Sequence, residues 1–205
     1  MAVIDSIKKL TDHRFLNMYQ VLGHNDKGHQ SNYMVASRAK SIEELQISTG
    51  ENQAHGVIIY ALAGEKHDKV VLIRQYRYPI NTFVYEMPAG LVEPGEDYRE
   101  GAVREMKEET GLTFTPLDVD PMFEQPRYTT VGMTDESCAI VYGYAEGEIS
   151  DKYQEGSEEI QTILADKEEI IRIMKEERVA LNCAYQLMHF LHDEDPFAFL
   201  GVKEQ

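Results

Sequence analysis

The stretch that most constrains this chain runs from Gly90 to Leu112, GLVEPGEDYREGAVREMKEETGL. After Gly90 come five residues and Glu96, then seven more and the run Arg104-Glu105-Met106-Lys107-Glu108-Glu109-Thr110-Gly111-Leu112. The spacing predicts a helix over the second half. At about 100° per residue, Glu105, Glu108 and Glu109 fall within an arc of roughly 100°. Ala102, Val103, Met106 and Thr110 share a neighbouring arc suited to packing on a core. Like charges at i,i+4 destabilise a helix, so a cation is expected to offset them. Oxygen-only ligands point to a hard ion, Mg²⁺ or Mn²⁺. Glutamate is also a good helix former, so a Glu-rich helix can be no more than a solvated face. The surroundings weigh against that here. Gly90 and Gly95 frame a tight loop, Asp97 is placed to cap the helix with Glu100 in a capping box, and Gly111 can end it in a left-handed conformation.

The chain has 205 residues, room for one large domain or a domain with a small accessory piece. Twenty Lys and Arg face 36 Asp and Glu, a net charge of −16, which argues against non-specific nucleic-acid binding. An acidic protein acting on anions needs metal ions and a few placed arginines. The opening MAVIDSIKKLTDHRFL lacks the apolar core of a signal peptide, and no apolar run approaches a membrane span. A cytoplasmic protein with no nucleic-acid or membrane partner is expected. Cys138 and Cys183 lie in apolar segments and read as buried free thiols.

In chain order, residues 1–50 form a segment apart from the domain at 51–205. NMYQVLG and SNYMVAS flank HNDKGHQ and predict a β-hairpin, which cannot build a core alone. SIEELQISTGENQAHG reads as a linker or short turn, and His24, His29 and His55 as surface residues. VIIYALA and KVVLIRQYRYP are strand candidates separated by the turn-like GEKHD, and FVYEMPAG leads into the Glu-rich helix. Beyond the Glu-rich helix, LTFTPLDVDPMFEQP suggests two short strands, and ESCAIVYGYAEG and EEIQTILA one each. Two helices close the chain, with Ile170, Ile171 and Met174 on one face of the first and Ala184, Leu187, Met188 and Leu191 on one face of the second.

The stretch from Gly90 resembles the Nudix box, G-x5-E-x7-R-E-U-x-E-E-x-G-U with U aliphatic, and matches it at every fixed position. RQYRYP, EMPAG, VGMTDE and a Glu-rich loop before a strand are similar to the ADP-ribose pyrophosphatase branch, and together cover most of residues 57–192. The resemblance implies an α/β/α sandwich with a mixed sheet, preceded by a β-hairpin subdomain that packs across two subunits of a homodimer. It implies that Glu105 and Glu109 ligate metal, with Glu108 contributing directly or through water and the Ala89 carbonyl as a further ligand. Gly90, Glu96, Arg104 and Gly111 then shape the loop–helix–loop. Arg77 matches a residue that contacts substrate phosphates; from the residues alone it is a strand-end arginine in a surface ion pair. Arg74 is a weaker candidate. Glu86 and Glu93 support the site or are charges at strand ends. Gly132, Thr134 and Glu136 match a loop near substrate, although Thr130-Val131 stand where the branch has serine-proline, and Pro126 lies earlier.

Hydrolysing a pyrophosphate needs a nucleophilic water, neutralised phosphoryl oxygens and in-line geometry. Metal held by the three glutamates supplies the first two, and Arg77 adds bidentate contacts. Metal-bound glutamates are poor bases, so a separate carboxylate must orient the water. The resemblance places it in DKYQEGSEEI, residues 151–160, with Glu158 favoured, Glu155 next and Glu159 third; Gly156 lends that loop freedom to close. On the hairpin, Phe15, Tyr19 and Tyr33 could reach a neighbour's base-binding site by stacking. The expected reaction is Mg²⁺-dependent cleavage of a nucleoside diphosphate-linked compound, ADP-ribose or an ADP-sugar, to AMP and a sugar phosphate. GDP-sugars, NADH or FAD, and dinucleoside polyphosphates are alternatives for the same chemistry. A ligand sensor that does not cleave is a different class, disfavoured by the intact box, and an acidic scaffold leaves the spacing unexplained.

Overall fold

The computed structural model describes residues 1–154, 156 and 159–201. Its elements, in chain order, begin with strands β1 (Val3–Lys9), β2 (Asn17–His24) and β3 (Gln30–Ser37) and a one-turn helix α1 (Gln46–Thr49). Strands β4 (Gly56–Ala63) and β5 (Lys69–Arg77) lead through a 3-10 turn at Tyr78–Ile80 to β6 (Thr82–Glu86) and β7 (Ala89–Leu91). Helix α2 (Tyr98–Thr110), β8 (Thr113–Pro116), a short α3 (Pro121–Glu124), β9 (Arg127–Tyr128) and β10 (Ser137–Glu146) follow. Strand β11 (Ile160–Ala165) and helices α4 (Lys167–Glu176) and α5 (Leu181–His192) complete the order. The chain divides into two compact units. One comprises Met1–His55 with Pro126–Cys138; the other comprises Gly56–Gln125 and the chain from Ala139 onward.

The first unit carries the antiparallel sheet β1-β2-β3. The expected hairpin is β2–β3, with Val21 opposite Tyr33. Its turn is set by Asn25, whose Oδ1 accepts from the N–H groups of Lys27 (2.9 Å) and His29 (3.0 Å), while Gly28 takes φ +77°. Strand β1 was not anticipated: its residues are mostly exposed and gain order by pairing with β2. On β2 the alternation is clear, with Asn17, Tyr19, Val21 and Gly23 buried. The Pro126–Cys138 segment docks on β3, where the Ala36 N–H donates to the Met133 carbonyl at 2.9 Å.

The second unit is built on a mixed sheet in the order β11-β5-β4-β10-β8, with β6 beside β5 and β7 beside β4. Every residue of β4 is buried, which requires cover on both faces. Val57, Ile59, Ala61 and Ala63 pack with Ala102 and Met106 of α2. On the other face, the Tyr60 ring meets Phe197 edge-on at 5.3 Å, and Ile170, Cys183, Leu187 and Phe190 of α4 and α5 are buried. The α/β/α layering follows. Several finer expectations differ. Residues 113–125 hold one strand and a helical turn instead of two strands, because Asp120 caps Met122 (2.9 Å) and Pro121 sits at the first helical position. The buried stripe of α4 runs through Ile170 and Ile173, leaving Ile171 exposed. That of α5 runs through Cys183, Leu187 and Phe190, leaving Met188 exposed. Val103 of α2 is also exposed. Among the described residues no helix is long and apolar enough to cross a membrane.

Candidate active site

The site is assembled where α2 lies on β7. Asp97 caps the helix by accepting from the Arg99 N–H at 2.9 Å, and Gly111 closes it with φ 77°. A Cβ at Gly111 would press on Ser150, so glycine is needed there twice over. Ala102, Met106 and Thr110 seat the helix in the core. That seating turns Glu105 and Glu109 toward β7, whose residues Ala89 and Gly90 pair with Ile58 and Val57 of β4. Glu109 is 3% exposed and accepts from the Ala89 N–H at 3.0 Å. Its own backbone carbonyl accepts from Gln154 Nε2 (2.7 Å) and Thr162 Oγ1 (3.4 Å). Glu105 lies directly over Gly90, where any Cβ would collide with its carboxylate. Gly90 is thus the cradle for Glu105.

One guanidinium organises the rest. Arg104 donates through Nε and Nη2 to the two oxygens of Glu96 (2.8 and 2.9 Å), and through Nη1 to Glu105 (2.8 Å) and Glu108 (2.9 Å). Its Nη2 also reaches the Leu91 carbonyl at 2.9 Å. Forked, charge-assisted bonds of this kind are strong and directional. The Arg104 hydrogen bond holds the Glu96 carboxyl below its ordinary range against an opposing effect of burial. Glu96 in turn accepts from the Glu93 N–H at 2.8 Å, locking the loop; the contribution of Glu93 is its backbone, and its side chain is exposed.

The donors fit a hard divalent cation in kind: the carboxylate of Glu105 over Gly90, that of Glu109 at the Ala89 peptide, and that of Glu108 on the Arg104 guanidinium. Among the described residues no three such groups already converge on one point. Arg104 stands between Glu105 and Glu108, and Glu109 is turned to the Ala89 N–H.

Strand parity places the arginines. Val71 belongs to the α2 side of the sheet, and alternation puts Arg77 on that side and Arg74 on the other. Arg77 donates through Nε to Glu86 Oε2 at 2.7 Å, so these two expected site residues form an ion pair on the box-helix face. Arg74 lies 4.1 Å over the Phe83 ring and donates to Gln161, away from the carboxylates. In the first unit, the Gly132 carbonyl accepts from Tyr33 Oη (2.7 Å), and Glu136 accepts from Arg38 (3.2 Å) and Thr129 (3.2 Å). Tyr19 is fully buried with its hydroxyl on the Ala39 carbonyl, so it has no ring face to offer a ligand. Glu155 and Glu158 lie outside the described residues; Glu159 is exposed. Cys138 and Cys183 are free thiols, pushed up by burial to about 11 and about 12.

Three features were not foreseen. Gln154 and Thr162 hold the backbone of Glu109, and for Thr162 the parity of β11 was the available signal. Glu124, fully buried, accepts from Arg99 at 2.6 Å and Tyr98 at 3.2 Å, tying the start of α2 to α3. A cavity of about 460 Å³ opens beside Arg77, walled by Gln75, Tyr76, Tyr78, Pro79, Gly156 and Glu159.

Fold and site together define an α/β/α protein whose acidic centre is carried on one loop–helix–loop. Residues 52–184 match the NUDIX domain model, and the chain belongs to the Nudix family. It is 28% identical over 129 residues to the ADP-ribose pyrophosphatase of Saccharomyces cerevisiae, covering 62% of this chain and 53% of that one. It is 30% identical over 114 residues to the ADP-ribose pyrophosphatase of Bacillus subtilis, covering 53% and 58%. The chain thus spans little more than half the length of either. A solved structure described as an ADP compounds hydrolase shares the fold, with a TM-score of 0.61 at 16% identity over 85% of this chain and 83% of that one.

Proposed function

We propose that this protein is a divalent-metal-dependent pyrophosphatase acting on a nucleoside diphosphate-linked compound, ADP-ribose or an ADP-sugar, with AMP and a sugar phosphate as products. The observation that carries this reading is the Arg104-centred carboxylate cluster, with its Glu105 seated over Gly90 and Arg77 on the same face of the sheet. The names of the pyrophosphatase relatives support the substrate class. A Mg²⁺ or Mn²⁺ ion held by Glu105, Glu108, Glu109 and the Ala89 carbonyl would supply an activated water and charge neutralisation.

The chain's own residues do the rest. Arg104 and Glu96 keep the loop in one shape, so the helix carboxylates are presented without reorganisation. Glu86 holds the Arg77 guanidinium in place until a phosphate competes for it, and the fork then grips two phosphoryl oxygens. Glu158, with Glu155 and Glu159 as the other candidates, would take the proton of the attacking water.

The protein is further read as a cytoplasmic homodimer joined through its first unit. That unit exposes Val3, Ile4, Phe15, Tyr33 and Met34. It holds seven Lys and Arg against eight Asp and Glu, a net charge of −1, leaving −15 on the second unit. Contact between two first units therefore meets little charge repulsion. The activity is tested by a panel of nucleotide-linked substrates with Mg²⁺ and chromatographic analysis of products. AMP from ADP-ribose or an ADP-sugar supports the reading; no cleavage of any member overturns it.

A further inference from the structure

We infer that Tyr78 is the stacking platform for the nucleobase of the substrate, a role that rests on the pyrophosphatase reading and identifies which part of the substrate meets this wall. Tyr78 is 82% exposed. It sits edge-on to Tyr76, with centroids 5.2 Å apart and planes at 87°. Tyr76 is itself fixed, edge-on to Phe83 at 5.4 Å, with its hydroxyl 2.5 Å from Asn81 Oδ1. Pro79 and the left-handed Asn81, φ 51°, set the single 3-10 turn that carries the ring. Presenting a large aromatic surface to water gives no folding advantage, since its apolar face stays wet. A flat ligand would remove that face from water.

The neighbours define the ligand. Arg77, next in the chain, lines the same cavity with a guanidinium suited to phosphate, and Gln75 brings an amide that can both donate and accept. About 460 Å³ lies within the range of small-molecule sites. A guanidinium, an amide and an open π-face match the phosphate, the base edge and the base face of a nucleoside monophosphate. Stacking tolerates any base, because every base has a π-face. Tyr78 would thus supply affinity for the nucleoside half, and Gln75 whatever preference among bases exists.

The test is calorimetric binding of AMP and, separately, of ribose 5-phosphate to the full-length wild type, Tyr78→Phe and Tyr78→Ala. Hydrolysis of ADP-ribose by the wild type is measured in parallel. Tyr78→Ala is expected to weaken AMP about tenfold, Tyr78→Phe to stay within about twofold, and ribose 5-phosphate to bind all three alike. The assignment is overturned if AMP binds Tyr78→Ala as it binds the wild type, if the wild type binds no AMP, or if both ligands weaken together, which would mark a phosphate or loop effect. Wild type that binds AMP through Tyr78 but cleaves no pyrophosphate would instead overturn the enzymatic reading and leave the stacking intact.

Discussion

Removing the Arg104 side chain tests the architecture of the site more sharply than removing any one glutamate. In Arg104→Ala, Glu96, Glu105 and Glu108 lose their shared cation, and the Leu91 carbonyl loses a donor. Glu108 is 45% exposed, so its share is small. Glu96 and Glu105 are only 15% and 14% exposed, and breaking a largely buried pair costs about 3–5 kcal/mol. Arg104 itself is about a quarter exposed, which favours the lower end, about 3 kcal/mol. For a chain of this size about 2–4 °C is lost per kcal/mol, so the melting temperature should fall by about 6–12 °C. A second effect separates this account from simple loss of packing. With Arg104 gone, Mg²⁺ is the available counter-charge for Glu105 and Glu108, and saturation to about ten times its Kd returns about 1.4 kcal/mol. Thermal denaturation in EDTA and in Mg²⁺ should show a larger Mg²⁺ shift for the variant than for the wild type. A fall below about 2 °C, or equal Mg²⁺ shifts, would refute the reasoning.

Three other outcomes follow from the same structure. Arg104 depresses the Glu96 carboxyl in the folded state, so its stabilisation is complete above the ordinary value of 4.5 and lost as pH falls through the depressed one; urea midpoints of Glu96→Gln should lose that acid limb, and parallel curves for variant and wild type would contradict it. Light scattering at micromolar concentration should give twice the 23.5 kDa chain mass, and a single-chain mass would sink the dimer. Among Glu155→Gln, Glu158→Gln and Glu159→Gln, one should lose about 10²–10⁴ in kcat with KM held; near-normal kcat in all three would remove the loop base.

The box helix was legible because its signals are local: a capping aspartate, a terminating glycine and an apolar arc all lie within Gly90–Leu112. Strands β4, β5 and β10 were legible for the same reason, being continuous apolar runs. Helical faces were read one residue out at Val103, Ile171 and Met188, since periodicity locates an arc but the sheet decides which edge of it is buried. The opposite placement of Arg74 and Arg77 was readable, because a spacing of three on a strand reverses the face. Glu124 was not. A glutamate reads as solvated until a partner 25 positions away, Arg99, is folded against it. The docking of Pro126–Cys138 on β3 joins residues 98 apart, as from Ser37 to Asp135, and no local pattern encodes that.

The most direct measurement pairs wild type with Glu109→Gln in ADP-ribose hydrolysis, each with Mg²⁺ and with EDTA. The glutamine carbonyl can still accept from the Ala89 N–H, so the fold is expected to hold by circular dichroism. The account predicts AMP release by wild type in Mg²⁺ alone, and a loss of at least about 10²-fold in the variant, the scale on which removing one charged stabilising group acts. Turnover that survives EDTA, or an active Glu109→Gln, would contradict it.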